Sequence, residues 1–119
     1  TYINERSIIL IITDSGKNPV KNFLDSLESK QIQRVTWVLQ LLEELDRIPK
    51  QYFNKLENTD DIWEVRIQFG NNIFRLLGYW DGPKFIVLCH GFTKKTQKVP
   101  KKEISLAEKR KRDYFRRKK

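Results

Sequence analysis

The chain has 119 residues, 39% of them hydrophobic, with 24 Lys or Arg against 15 Asp or Glu for a net charge of +9, which suits one compact domain over residues 1–119. Seven Phe, three Trp and four Tyr exclude a disordered chain, because such chains lack the apolar surface that offsets ordering entropy. A single cysteine, Cys89, and a single histidine, His90, exclude an intrachain disulfide and a structural zinc site.

Ser7 to Thr13 is β-branched and apolar and is closed by Asp14, Ser15 and Gly16, so it reads as a buried strand. Its run Ile8 to Ile12 is too short to span a bilayer, and no small-residue cleavage site follows it. The expectation is a cytoplasmic protein of a reducing compartment, with no metal, no cofactor and no membrane partner. As the chain has no Met, the natural start is expected upstream of Thr1.

Asn18 before Pro19 opens a short helix whose Val20, Phe23, Leu24 and Leu27 share one face. Ser29 caps a second helix, striped by Ile32, Val35, Val38, Leu39, Leu42 and Leu45 up to Pro49. Lys50 to Asp61 reads as a connection that packs Tyr52, Phe53 and Leu56 inward. Trp63, Val65, Ile67 and Phe69 then alternate with Glu64, Arg66 and Gln68, which places the polar three on one face of a strand. Gly70-Asn71-Asn72 turns the chain into a return strand from Ile73 to Trp80, and Asp81-Gly82-Pro83 turns it again into an apolar strand from Phe85 to Phe92. From Pro100 a last helix carries Ile104, Ala107, Lys111, Tyr114 and Phe115 along one face. The order β-αα-βββ-α predicts an α+β fold. In it a mostly antiparallel sheet is packed by the helical hairpin and a basic C-terminal helix, with part of one sheet face left open.

Charge is concentrated at the end of the chain. Residues 94–119 hold 13 basic and three acidic side chains, whereas residues 1–93 hold 11 basic and 12 acidic. A neutral body with a cationic end favours a polyanionic partner, since each neutralised phosphate releases counterions. Lys98, Lys101, Lys102, Arg110, Arg112, Arg116 and Arg117 are the candidate nucleic-acid contacts in that stretch. A solvated basic helix is the plainer alternative.

There is no phosphate-cradling glycine loop and no Gly-x-Ser-x-Gly elbow, and one histidine cannot serve both a triad and a metal. What remains is a set of cations near the strands: Arg66, Arg75, Lys94 and Lys95, with His90 at a strand end. Cleaving RNA without metal needs a base for the 2′-hydroxyl, cations for the charged transition state and an acid for the departing 5′-oxygen. Arginine suits the second task, and a lysine crowded by cations suits the first or third. Two plainer readings stay open. Arg66 can pair with Glu64 or a helix acid while Arg75 caps a sheet edge, and His90 can be a satisfied structural histidine. Cys89 reads as core rather than nucleophile, and Trp63, Trp80 and Tyr79 read as core with a lesser chance of base stacking for Tyr79.

Asn18-Pro19-Val20 before Phe23-Leu24, the strand Trp63-Glu64-Val65-Arg66, Phe74-Arg75, and His90-Gly91-Phe92-Thr93-Lys94-Lys95 through Val99-Pro100 to Glu103-Ile104 and Ala107 resemble the RelE/HigB superfamily of toxins, in its phage-derived HigB-like branch. The resemblance runs over nearly the whole chain from Ser7. It implies the compact RelE-like fold and a metal-independent endoribonuclease that cuts messenger RNA in the A site of the ribosomal 30S subunit. It also implies a cognate helix-turn-helix, HigA-like antitoxin. By resemblance Arg66 and Arg75 face the scissile phosphate, Lys94 and Lys95 are the basic pair after the last strand, and Lys98 holds ribosomal or messenger phosphates. Base and acid are not assigned individually. The ParE-like branch inhibits DNA gyrase instead, so such a toxin, or a non-catalytic basic binding module, is the alternative.

Overall fold

The computed structural model describes residues 6–94 and 98–118. Local signals in the sequence set most of its elements. After strand β1 (Ser7–Leu10), helix α1 (Pro19–Asp25) starts where expected, with the Asn18 side chain accepting the Lys21 N–H at 3.2 Å. Helix α2 (Ser29–Glu44) is capped one residue earlier than expected, by Glu28, whose backbone N–H donates to Gln31 Oε1 at 2.9 Å. At its other end the Arg6 guanidinium donates to the carbonyls of Leu42 and Asp46 at 2.9 and 2.8 Å, which places a cation at the negative end of the helix. Strands β2 (Phe53–Lys55), β3 (Trp63–Phe69), β4 (Asn72–Asp81) and β5 (Phe85–Thr93) and helix α3 (Lys101–Lys118) complete the chain.

The strands form one open sheet in the order β1-β5-β4-β3-β2, parallel between β1 and β5 and antiparallel elsewhere. With three helices this is an α+β fold. β2 corrects the reading of Lys50 to Asp61 as a plain connection. Three residues are too few to show a period, and the strand exists through its partner: Phe53 pairs Val65 and buries its ring. β1 is shorter than expected and lies at the sheet edge, so Ile8, Ile9 and Leu10 are half-buried and Ile12 is 57% exposed.

The expected open sheet face is corrected too. α1 and α2 cover one face over Val65, Ile67, Phe74, Leu76, Ile86 and Leu88. The alternate residues Leu77, Tyr79, Val87 and Cys89 point the other way, and α3 buries them beneath Ala107, Ile104, Tyr114 and Phe115. Strands that are apolar on both faces need cover on both, at about 1.5–3 kcal/mol for each side chain removed from water.

One irregularity positions the site. Leu77 pairs His90 while Gly78 pairs Leu88, so Cys89 is an extra residue in β5. The bulge turns both Cys89 and His90 toward α3. It also sends Gly91 to the opposite face, where an added Cβ would lie 2.7 Å from the Phe23 ring. No described helix is long and apolar enough to cross a membrane.

Candidate functional site

Register sorts the α3 side of the sheet into rows running across β3, β4 and β5. Glu64, Leu77 and His90 form one, and Arg66, Arg75 and Phe92 the next. Gln68 and Ile73 lead to a third, which ends at Lys94, whose backbone N–H donates to Ile73 O at 3.1 Å. Along its length α3 meets His90 through Glu103, Cys89 through Arg110, and Asp81 through Tyr114 and Lys118. It therefore runs from the first row away from the other two, and these lie past its first turn.

There the surface is cationic. Arg66 is half-buried at mid-strand, Lys94 is exposed at the end of β5, and Gln68 is exposed beside them, its amide donating to Gly70 O at 3.0 Å. Lys98 is exposed, as are Lys101 and Lys102 in the turn of α3 that carries Glu103. The structure thus brings Arg66, Lys94 and the lysines around the start of α3 to one end of the molecule. Lys95 lies outside the described residues.

Arg75 and His90 depart from the roles expected of them. The Arg75 side chain is fully buried and forms an ion pair with Glu64, itself 4% exposed and also accepting the Asn54 amide at 3.3 Å. Glu64 stands opposite Leu77 and reaches Arg75 on the diagonal. A guanidinium held there has no path to a phosphate; it fixes β3 to β4 beneath the cation patch. His90 has both ring nitrogens engaged, Nε2 with Glu103 Oε1 at 2.9 Å and Nδ1 with Arg110 Nη1 at 3.3 Å. Both ring nitrogens thus have a partner, and Arg110, which can only donate, faces Nδ1. It latches β5 to α3. Burial pushes the Cys89 thiol up to about 12, which makes it inert as a nucleophile.

The basic end of α3 is less free than its charge suggests. Lys111 donates to Asp60 O at 2.6 Å, Lys118 to Asp81 at 2.6 Å, and Arg117 pairs Asp14 at 3.0 Å. Arg116 sits between Asp113 at 3.0 Å and Asp14 at 3.5 Å. Arg110 donates to Cys89 O at 2.8 Å and is half-buried, whereas Arg112 is exposed. Acids of the body meet the far half of this helix, although Arg116, Arg117 and Lys118 remain exposed along with Lys101, Lys102, Lys109 and Arg112. Glu64 and Glu103, which do much of the positioning, were missed as site residues. Their spacing from Arg75 and His90 shows only once the strand register and the helix position are known. Among the described residues no group of three His, Cys, Asp or Glu side chains is placed to hold a metal ion.

The model of the family described as Phage derived protein Gp49-like (DUF891) matches residues 22–112. That span runs from α1 into the last turns of α3 and includes every row of the site. The chain belongs to the Gp49-like family. Gp49-like proteins are RelE/HigB-like toxins of toxin–antitoxin systems, and membership implies an antitoxin partner. No curated protein matches the chain.

Proposed function

We propose that this Gp49-like toxin is a messenger-RNA endoribonuclease that works in the A site of the ribosomal 30S subunit, in the cytoplasm, and that a HigA-like helix-turn-helix antitoxin neutralises it. The observation that carries the reading is the placement of Arg66 and Lys94 on one sheet face beyond the start of α3, whose first turn carries the exposed Lys101 and Lys102. They stand two strands and one row apart, about 12 Å by strand spacing and rise per residue, so their long side chains can close on one phosphodiester.

In the proposed reaction the 2′-oxygen attacks phosphorus and the bond to the 5′-oxygen breaks, leaving a 2′,3′-cyclic phosphate and a 5′-hydroxyl. Arg66 holds the non-bridging oxygens as charge builds, and Lys94 with Lys95 moves the protons. Arg75 and His90 enter as positioning residues, through Glu64 and Glu103. Lys98, Lys101, Lys102 and Arg112 hold flanking phosphates.

Primer-extension mapping on messenger RNA, free and on programmed ribosomes, tests this. Cuts confined to ribosome-bound message at the A-site codon are expected. Cutting of free RNA would make it an independent ribonuclease. The burial of Arg75 and the occupied nitrogens of His90 favour one second reading, a non-catalytic binder of nucleic acid, and binding without any cut would establish that instead.

A further inference from the structure

The sheet face turned away from the cation patch carries a second opening. Phe53 stacks on Trp63 with ring centroids 4.8 Å apart, and Trp80 meets the two edge-on at 5.9 and 6.2 Å. With Ile48 these rings line a cavity of about 560 Å³, large enough for a bulky side chain. Around it stand Arg6, Lys50 and Lys55 against one acid, Glu57. Arg6 is pinned by the carbonyls at the end of α2, so its charge is fixed in place. Lys55 pairs Asp61 at 2.9 Å, but both are more than half exposed, and such a pair is readily exchanged.

The cavity adjoins an open sheet edge. Among the described residues β2 pairs with β3 alone. Arg66 N–H donates to Tyr52 O at 2.8 Å and Leu56 N–H to Ile62 O at 2.8 Å, so residues 52, 54 and 56 turn their backbones toward β3. Those of Phe53 and Lys55 face outward, and of these the Phe53 N–H is taken by Pro49 O at 3.3 Å. Among the described residues none pairs with Phe53 C=O or with either backbone group of Lys55, and these lie along the edge, on the rim of the aromatic cavity.

We propose that β2 and this cavity bind an extended acidic segment of a protein partner. The segment adds a strand to β2, seats an aromatic or large aliphatic side chain against Trp63 and Trp80, and sets its carboxylates beside Lys50, Lys55 and Arg6. A nucleotide would match the rings and the cations but would leave the backbone edge unmatched, and the edge decides for a peptide. The family reading supplies the class of partner, an antitoxin. Since the cavity opens on the face opposite Arg66 and Lys94, a partner held here leaves the cation patch uncovered.

The test is to pan a phage-displayed library of random short peptides on the immobilised full chain and to measure the enriched peptides by calorimetry. Enriched sequences are expected to combine acidic residues with an aromatic or large aliphatic anchor. Trp80→Leu and the doubly charge-reversed Lys50→Glu, Lys55→Glu are each expected to weaken them by about tenfold or more. Both lysines are exposed, so the charge-reversed chain should keep the parent melting temperature. No enrichment, peptides lacking acids or an apolar anchor, equal binding by the charge-reversed chain, or displacement of the peptide by adenosine monophosphate would each overturn the proposal. Cleavage by the charge-reversed chain should match the parent's, so failure here and failure of the nuclease reading are read in separate assays.

Discussion

The buried pair of Arg75 and Glu64 decides how substitutions at this site are to be read. Arg75→Ala leaves a carboxylate in the interior without its cation, which costs about 3–5 kcal/mol. Urea unfolding should show that loss, and Arg75→Met with Glu64→Leu should recover most of it; a stable Arg75→Ala protein would contradict the pairing. Loss of toxicity in Arg75→Ala therefore speaks to folding before it speaks to chemistry. Gly78 is a second fixed point, because an added Cβ would lie 2.1 Å from Val87 O in the neighbouring strand. Backbone cannot yield as a side chain does, so Gly78→Ala should destabilise by about 3 kcal/mol. At this scale the sequence was informative about which residues share a face and silent about which of them touch. Period-two alternation put Glu64 and Arg66 together, but a bulge of one residue, invisible in the apolar run of β5, turned His90 toward α3.

Among the elements, α3 is held at its far end by a contact that titrates. Asp81 accepts from Tyr114 at 2.7 Å and from Lys118 at 2.6 Å. Lys118 and then Tyr114 hold its carboxyl below the ordinary value, while burial and Asp81 push the Tyr114 hydroxyl up to about 12. A carboxylate whose folded pKa is depressed gives stability above the usual carboxylate range and loses it as pH falls through the folded value. A phenol whose folded pKa is raised gives stability below its ordinary 10.0 and loses it as pH rises toward about 12. Thermal melts should be flat between about pH 5 and pH 9 and fall on both sides. Asp81→Asn should blunt the acid fall, and Tyr114→Phe, at about 1 kcal/mol for the lost hydrogen bond, should reduce the alkaline one. Burial also raises the buried Tyr79 hydroxyl, so part of the alkaline fall should remain. Helices were legible because caps and apolar stripes are local: Asn18 with Pro19, and Ile104 through Phe115. β2 was not, since it takes its structure from β3.

For the molecule as a whole, composition located the cations, and the fold decided which of them face solvent. Asp14, Asp60 and Asp81 belong to the nearly neutral body, and each meets the basic helix. The excess that was legible as a cationic end is thereby partly offset along the far half of α3, which leaves Lys94, Lys101 and Lys102 among the cations facing solvent. The proposed ribosome binding should reflect this: Lys101→Ala with Lys102→Ala should flatten the logarithmic salt dependence by about 0.7–0.9 for each phosphate those lysines neutralise, and Arg116→Ala with Arg117→Ala by less. Equal slopes for the two variants would mean that the acids of the body do not compete with RNA for the end of the helix.

The most direct measurement is the single-turnover rate of message cleavage on programmed ribosomes, at saturating toxin, for the parent, Arg66→Ala and Arg116→Ala with Arg117→Ala. Arg66→Ala should be slower by about a hundredfold or more with ribosome binding retained, and the double variant should cut at close to the parent rate. Parent-like cutting by Arg66→Ala, or an equal loss in the double variant, would contradict the catalytic role proposed for the cations beyond the start of α3.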